Sequence, residues 1–93
     1  MIPVFLRDAR TRLDELAHAV EQGDLESVRR IAHALKGSAG EVGAHPMSAR
    51  CAQLEQHADT HGVERLSEVV DSLEAEFRLV EAALVNESSP PPV

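Results

Sequence analysis

Residues 33 to 44 read His33-Ala34-Leu35-Lys36-Gly37-Ser38-Ala39-Gly40-Glu41-Val42-Gly43-Ala44. Apolar residues run into and through this stretch at helical spacing. Leu25, Val28, Ala32, Leu35, Ala39 and Val42 recur at alternating steps of three and four, the core-facing stripe of an amphipathic helix. His33 lies one residue off that stripe, about 100° around the axis. On its side follow Gly37, Gly40 and Ala44, so the imidazole projects from a strip nearly bare of side chains. Each interior glycine costs a helix roughly 1 kcal/mol relative to alanine. A small domain that keeps Gly37 and Gly40 there needs the open backbone.

The neighbours of His33 on the helical wheel are Arg29, Arg30, Lys36 and Gly37. Cations around an imidazole disfavour its protonated form and keep a neutral lone pair available as a nucleophile. The same cations would attract and stabilise an incoming phosphoryl group. The plainer reading is a solvated helix face on which the histidine does nothing.

The twelve-residue stretch resembles the signature of histidine-containing phosphotransfer (HPt) domains of multistep phosphorelays. His33, Leu35, Lys36, Gly37, Ser38, Gly43 and Ala44 fit that signature. So do the flanks, with Gly23-Asp24 before the motif and Cys51 and Leu54-Glu55 after it, and the resemblance extends over roughly residues 2 to 85. It implies that His33 takes a phosphoryl group from an aspartyl phosphate on a receiver domain and passes it to an aspartate on a second receiver. Nε2 would be the nucleophilic atom and Lys36 would neutralise the phosphoryl oxygens. Arg29, Arg30, Gly37, Gly40 and Ala44 would meet the partner. In such domains a polar side chain from the following helix bonds the histidine; Glu55 or Gln56 could do so here, although glutamine is the more familiar residue at the position of Glu55. The resemblance further implies a monomer that is a relay element and not an enzyme. It would have no cofactor or metal of its own, the receiver supplying Mg²⁺. It would be part of, or partner to, a sensor histidine kinase.

Ninety-three residues suffice for one domain. Nine Lys and Arg against sixteen Asp and Glu leave a net charge of −7. No Trp or Tyr is present to stack bases. An acidic chain of this kind is a poor match for nucleic acid or an anionic membrane surface. Cys51 is the single cysteine and falls on an apolar stripe, which excludes an internal disulfide and suggests a reducing, cytoplasmic setting. No apolar run is long enough to cross a membrane. Arg7 and Asp8 interrupt the N-terminus too early for a signal peptide.

The periodicity predicts four helices. The first runs from about Pro3 to Gln22 with the stripe Ile2, Phe5, Leu6, Ala9, Leu13, Leu16, Ala17 and Val20. Gly23 stops it and Asp24 caps the next. The second helix covers about 25 to 42, with its end blurred by Gly40 and Gly43. The third covers about 46 to 59, opened by Pro46, with His45 as a loop or capping residue and the stripe Met47, Cys51, Leu54 and Ala58. The fourth runs from about Val63 to Val85 on Leu66, Val69, Val70, Leu73, Phe77, Val80 and Leu84. We therefore expect an all-α, antiparallel four-helix bundle over residues 1–86 with the histidine exposed on the second helix. A Pro-rich tail or linker would occupy 87–93.

Competing sites are weaker. His57 and His61 are four apart, as in zinc pairs, but the pattern places no third ligand. Ser38 and His33 diverge by about 140° on a helix, so they cannot form a hydrolytic pair. His18 lies off the apolar stripe and reads as solvated. Two other functions stay open at this point: a helical interaction module with an unreactive His33, and the phosphoacceptor domain of a chemotaxis-type kinase.

Overall fold

The computed structural model describes residues 2–60 and 62–88, with side chains at 4–60, 62 and 64–84. α1 spans Ile2–Gln22, α2 Leu25–Glu41, α3 His45–His57 and α4 Val63–Ser88. α1 packs on α2 and α4, and α3 packs on the same two helices. The helices thus stand at the corners of a square, each beside its neighbours in sequence. Short connections oblige them to alternate in direction, which gives the expected antiparallel bundle. Among the described residues no helix is long and apolar enough to cross a membrane.

Two corners are built from the same backbone device. Gly23 has φ +70° and Gly43 has φ +79°, a left-handed conformation that costs any residue with a Cβ. At the first corner the Gly23 amide bonds the Val20 carbonyl and the Asp24 amide bonds the Ala19 carbonyl. At the second the Gly43 amide bonds Gly40 and the Ala44 amide bonds Ala39. Both are Schellman motifs, in which a glycine turns the last carbonyls of a helix back on the chain. Asp24 then starts α2: its carboxylate accepts from the Ser27 amide at 3.2 Å and from the Ser27 hydroxyl at 2.7 Å. Those two bonds, the hydroxyl's first, hold the Asp24 carboxyl below its ordinary range.

The core is apolar throughout. Leu13, Leu16, Leu35, Met47, Leu54, Leu66, Leu73 and Phe77 are each less than 2% exposed, and no polar or charged residue is buried among the described ones. Cys51 sits among them, and burial pushes its thiol up to about 12. It is an inert core residue at neutral pH.

Several expected boundaries shift. α1 begins at Ile2, α2 ends at Glu41 because Gly43 takes the left-handed position, and α3 covers His45–His57. Pro46 falls inside the first turn of α3, where its missing N–H is not needed. His45 is therefore the first residue of that helix. α4 continues to Ser88, so Glu87 and Ser88, expected in the tail, are helical; the prolines of the tail lie outside the described residues. The stripes are also wider than a single row. Ile31 joins Val28, Ala32, Leu35 and Ala39 in the core, and Ala19 joins Leu16 and Val20. Each of these helices packs on two neighbours, so a second row of residues is covered. Leu25 and Val42, at the two ends of the α2 stripe, are only partly buried.

Candidate functional site

The site is carried by α2 and α3. Register between antiparallel helices decides which side chains meet, and one series of pairs fixes it here. Arg29 on α2 pairs with Asp59, just past α3, and His33 pairs with Glu55 on α3. A step of one helical turn up α2 matches a step of one turn down α3, which is the relation that keeps such pairs on one seam. Lys36 completes the series by reaching the same Glu55.

Glu55 is the hinge of the arrangement. His33 Nδ1 lies 2.7 Å from Glu55 Oε2, and Lys36 Nζ donates to Glu55 Oε1 at 2.7 Å. Each carboxylate oxygen thus has its own partner. The adjacent Lys36 ammonium holds the Glu55 carboxyl below its ordinary range, and the bond to His33 adds to this. Glu55 is therefore ionised at neutral pH. An ionised carboxylate can only accept, so Nδ1 carries the hydrogen. In the neutral ring this leaves the lone pair on Nε2.

His33 is well exposed, at 67% of its side-chain surface. A Cβ built on Gly37 would meet nothing within 4 Å, and one on Gly40 only the Ser48 hydroxyl at 3.8 Å. The strip beside the imidazole is therefore open, as the glycine pattern suggested. Ser48 donates to the Lys36 carbonyl at 3.1 Å and ties α3 to this part of α2.

Two expectations change. Ala44 is not on the open strip: it is 7% exposed and packs in the core at the corner after Gly43, because the left-handed glycine redirects the chain before the helical wheel reaches it. The charge around His33 is also mixed where cations alone were expected. Arg29 is paired with Asp59 and Lys36 with Glu55, and Arg30 reaches the Ser27 hydroxyl at 3.4 Å. A hydrogen bond at Nδ1 leaves the Nε2 lone pair free, where repulsion by cations was expected to do so. Of the two candidates on α3, Glu55 bonds the ring and Gln56 is exposed. Asp59 was not singled out by sequence. Its only signal is that it lies one turn beyond Glu55, as Arg29 lies one turn before His33.

Among the described residues no three His, Cys, Asp or Glu side chains gather as a metal site. The His57–His61 pair falls partly outside those residues.

The bundle thus presents an exposed imidazole with its Nε2 outward, backed by a carboxylate and flanked by a lysine and bare backbone, an arrangement that suits a histidine phosphotransfer module. The chain belongs to that family: residues 1–85 match the family model of the Hpt domain. It is similar to the sensor protein TorS of Escherichia coli (strain K12), with 43% identity over 53 residues. That match covers 57% of this chain and 6% of TorS, so the relative is far longer than the shared stretch. No solved structure matches the chain.

Proposed function

We propose that Nε2 of His33 receives a phosphoryl group from an aspartyl phosphate of a receiver domain and delivers it to an aspartate of another. The observation that supports this reading most directly is the Glu55 bond to Nδ1, which leaves the outer nitrogen of an exposed ring as the nucleophile. The Nε2 lone pair attacks phosphorus, the acyl-phosphate P–O bond breaks, and its electron pair leaves with the aspartate carboxylate. Lys36 shares its charge between Glu55 and the phosphoryl oxygens. Gly37 and Gly40 admit the receiver's backbone beside the ring, with Arg29 and Arg30 at the edge of the contact. The receiver brings Mg²⁺ and its own acidic pocket, and the chain serves as a monomeric relay in the cytoplasm, within or beside a sensor kinase.

The test is incubation with a panel of phosphorylated receivers from the same genome, followed by analysis of the phosphate on the chain. Acid-labile, alkali-stable phosphate that is absent from a His33→Gln variant is the expected result. Because His33 is off the core, that variant should keep its stability within ~0.5 kcal/mol. Wild-type phosphorylation of the His33→Gln protein would overturn the reading. So would no labelling of the wild type by any receiver, which would leave an interaction module whose histidine is unreactive.

A further inference from the structure

The contact between His33 and Glu55 has a part to play after the phosphoryl group has arrived. When Nε2 forms its bond to phosphorus, Nδ1 keeps its hydrogen and the ring becomes a phospho-imidazolium cation. For the group to leave, the N–P bond breaks and its electron pair returns to Nε2. If Nδ1 still bears the hydrogen, the leaving group is neutral imidazole. If that proton has gone to solvent, the leaving group is an imidazolate anion, which is far poorer. The Nδ1 proton therefore separates a phosphohistidine ready to transfer from one that is kinetically trapped.

We propose that the negative charge of Glu55, over and above its hydrogen bond, retains the Nδ1 proton of phospho-His33 and keeps the phosphoryl group transferable. Glu55 is a positioning residue here, acting through the ring. Glutamine at this place would supply the same acceptor oxygen at the same reach with no charge. An opposite charge in direct contact favours the protonated form of an imidazole, and a nearby like charge disfavours it. The charged groups along the seam on either side of the ring are Arg29, Arg30 and Lys36 on α2 and Glu55 and Asp59 on the α3 side. Arg29 and Asp59 form a pair of their own, and Arg30 reaches the Ser27 hydroxyl toward Asp24 at the start of α2. Lys36 and Glu55 remain as the opposed influences, and they hold each other at 2.7 Å. Lys36 thus tempers the effect of Glu55, and the two together set the pH above which the phosphoryl group is trapped.

This inference rests on phosphorylation of His33 but not on the identity of the donor, so its test dispenses with receivers. The full chain is phosphorylated with phosphoramidate, freed of reagent, and followed by phosphorus NMR as the phosphoryl group is lost to water between pH 5 and 10. Wild type, Glu55→Gln and Lys36→Met are compared. In Glu55→Gln the pH at which the rate falls to half should drop by about one unit, the low end for a contacting charge because this pair is partly exposed. In Lys36→Met it should rise. A purely structural contact would not move the two variants in opposite directions. Superimposable profiles, or shifts of the same sign in both variants, would overturn the proposal. Failure of every receiver to donate would count against the proposed function and leave these profiles to be judged separately.

Discussion

Replacing Gly37 separates the two things a glycine inside a helix can be for. Gly37 lies in the interior of α2 at a backbone angle ordinary residues adopt, and a Cβ there would meet no atom within 4 Å. Nothing in the folded chain opposes a side chain at this position. Gly37→Ala should therefore gain the full helix-propensity difference, about 1 kcal/mol. For a domain of this size that corresponds to a rise in Tm of about 4–8 °C. Gly37→Leu should gain slightly less, since leucine is the weaker helix former of the two. Its isobutyl group would, however, fill the open strip one turn from His33. The assay has two readouts on the same samples: thermal unfolding by circular dichroism, and the rate of phosphotransfer from a receiver that labels the wild type. Stability should rise in both variants while transfer falls, most in the leucine variant. A lowered Tm in Gly37→Ala would show that the glycine is structural. A Gly37→Leu protein that transfers at the wild-type rate would refute the idea that the bare strip admits a partner.

Three other outcomes follow from named contacts. Gly43→Ala, at φ +79°, should cost about 1–2 kcal/mol in denaturant titrations, the opposite sign to Gly37→Ala although neither site is crowded. Lys36→Ala should slow transfer and shorten the life of phospho-His33 without preventing its formation, and added salt should narrow the gap to wild type because Lys36 is only partly buried; equal rates at low salt would remove Lys36 from the mechanism. The third concerns acid. Glu55 has its folded-state carboxyl lowered, chiefly by Lys36, so its stabilising effect is full above the ordinary carboxylate range and is lost as pH falls through the lowered value. The difference in Tm between wild type and Glu55→Gln should therefore shrink as pH falls below the ordinary carboxylate range and through the lowered value; a difference that persists once the carboxyl is protonated would show that its charge does not stabilise the fold.

How far the sequence carried these conclusions can be judged residue by residue. The third helix's stripe of Met47, Cys51, Leu54 and Ala58 was complete, because α3 covers one narrow row against its neighbours. Ile31 and Ala19 escaped because periodicity alone reports the centre of the stripe, and α2 and α1 bury these residues beside it. His33, Lys36 and the two open glycines were legible because a helical wheel is a local object. Ala44 was not, since the wheel was extended past Gly43, where the chain turns left-handed. The seam itself was out of reach: whether Glu55 or Gln56 meets the ring depends on the relative rotation of α2 and α3. That rotation is set by packing across the whole hairpin and leaves no mark at residue 55.

The seam has a consequence for how such a module could be rebuilt. Arg29, His33, Lys36, Glu55 and Asp59 all lie on one helical hairpin closed by the Gly43 corner. Among the described residues no charged group of α1 or α4 pairs with that seam; these helices give the hairpin an apolar bed through residues such as Leu13, Leu16, Leu73 and Phe77. On the proposed function, chemistry and scaffold would thus be separable along the chain: one contiguous insert would bear the reactivity and the face a partner reads, and the outer helices would form a chassis. Exchanging only the span from Asp24 to Asp59 between two bundles with matching beds should carry the choice of partner with it. Changes confined to α1 or α4 should adjust melting behaviour and leave that choice where it was.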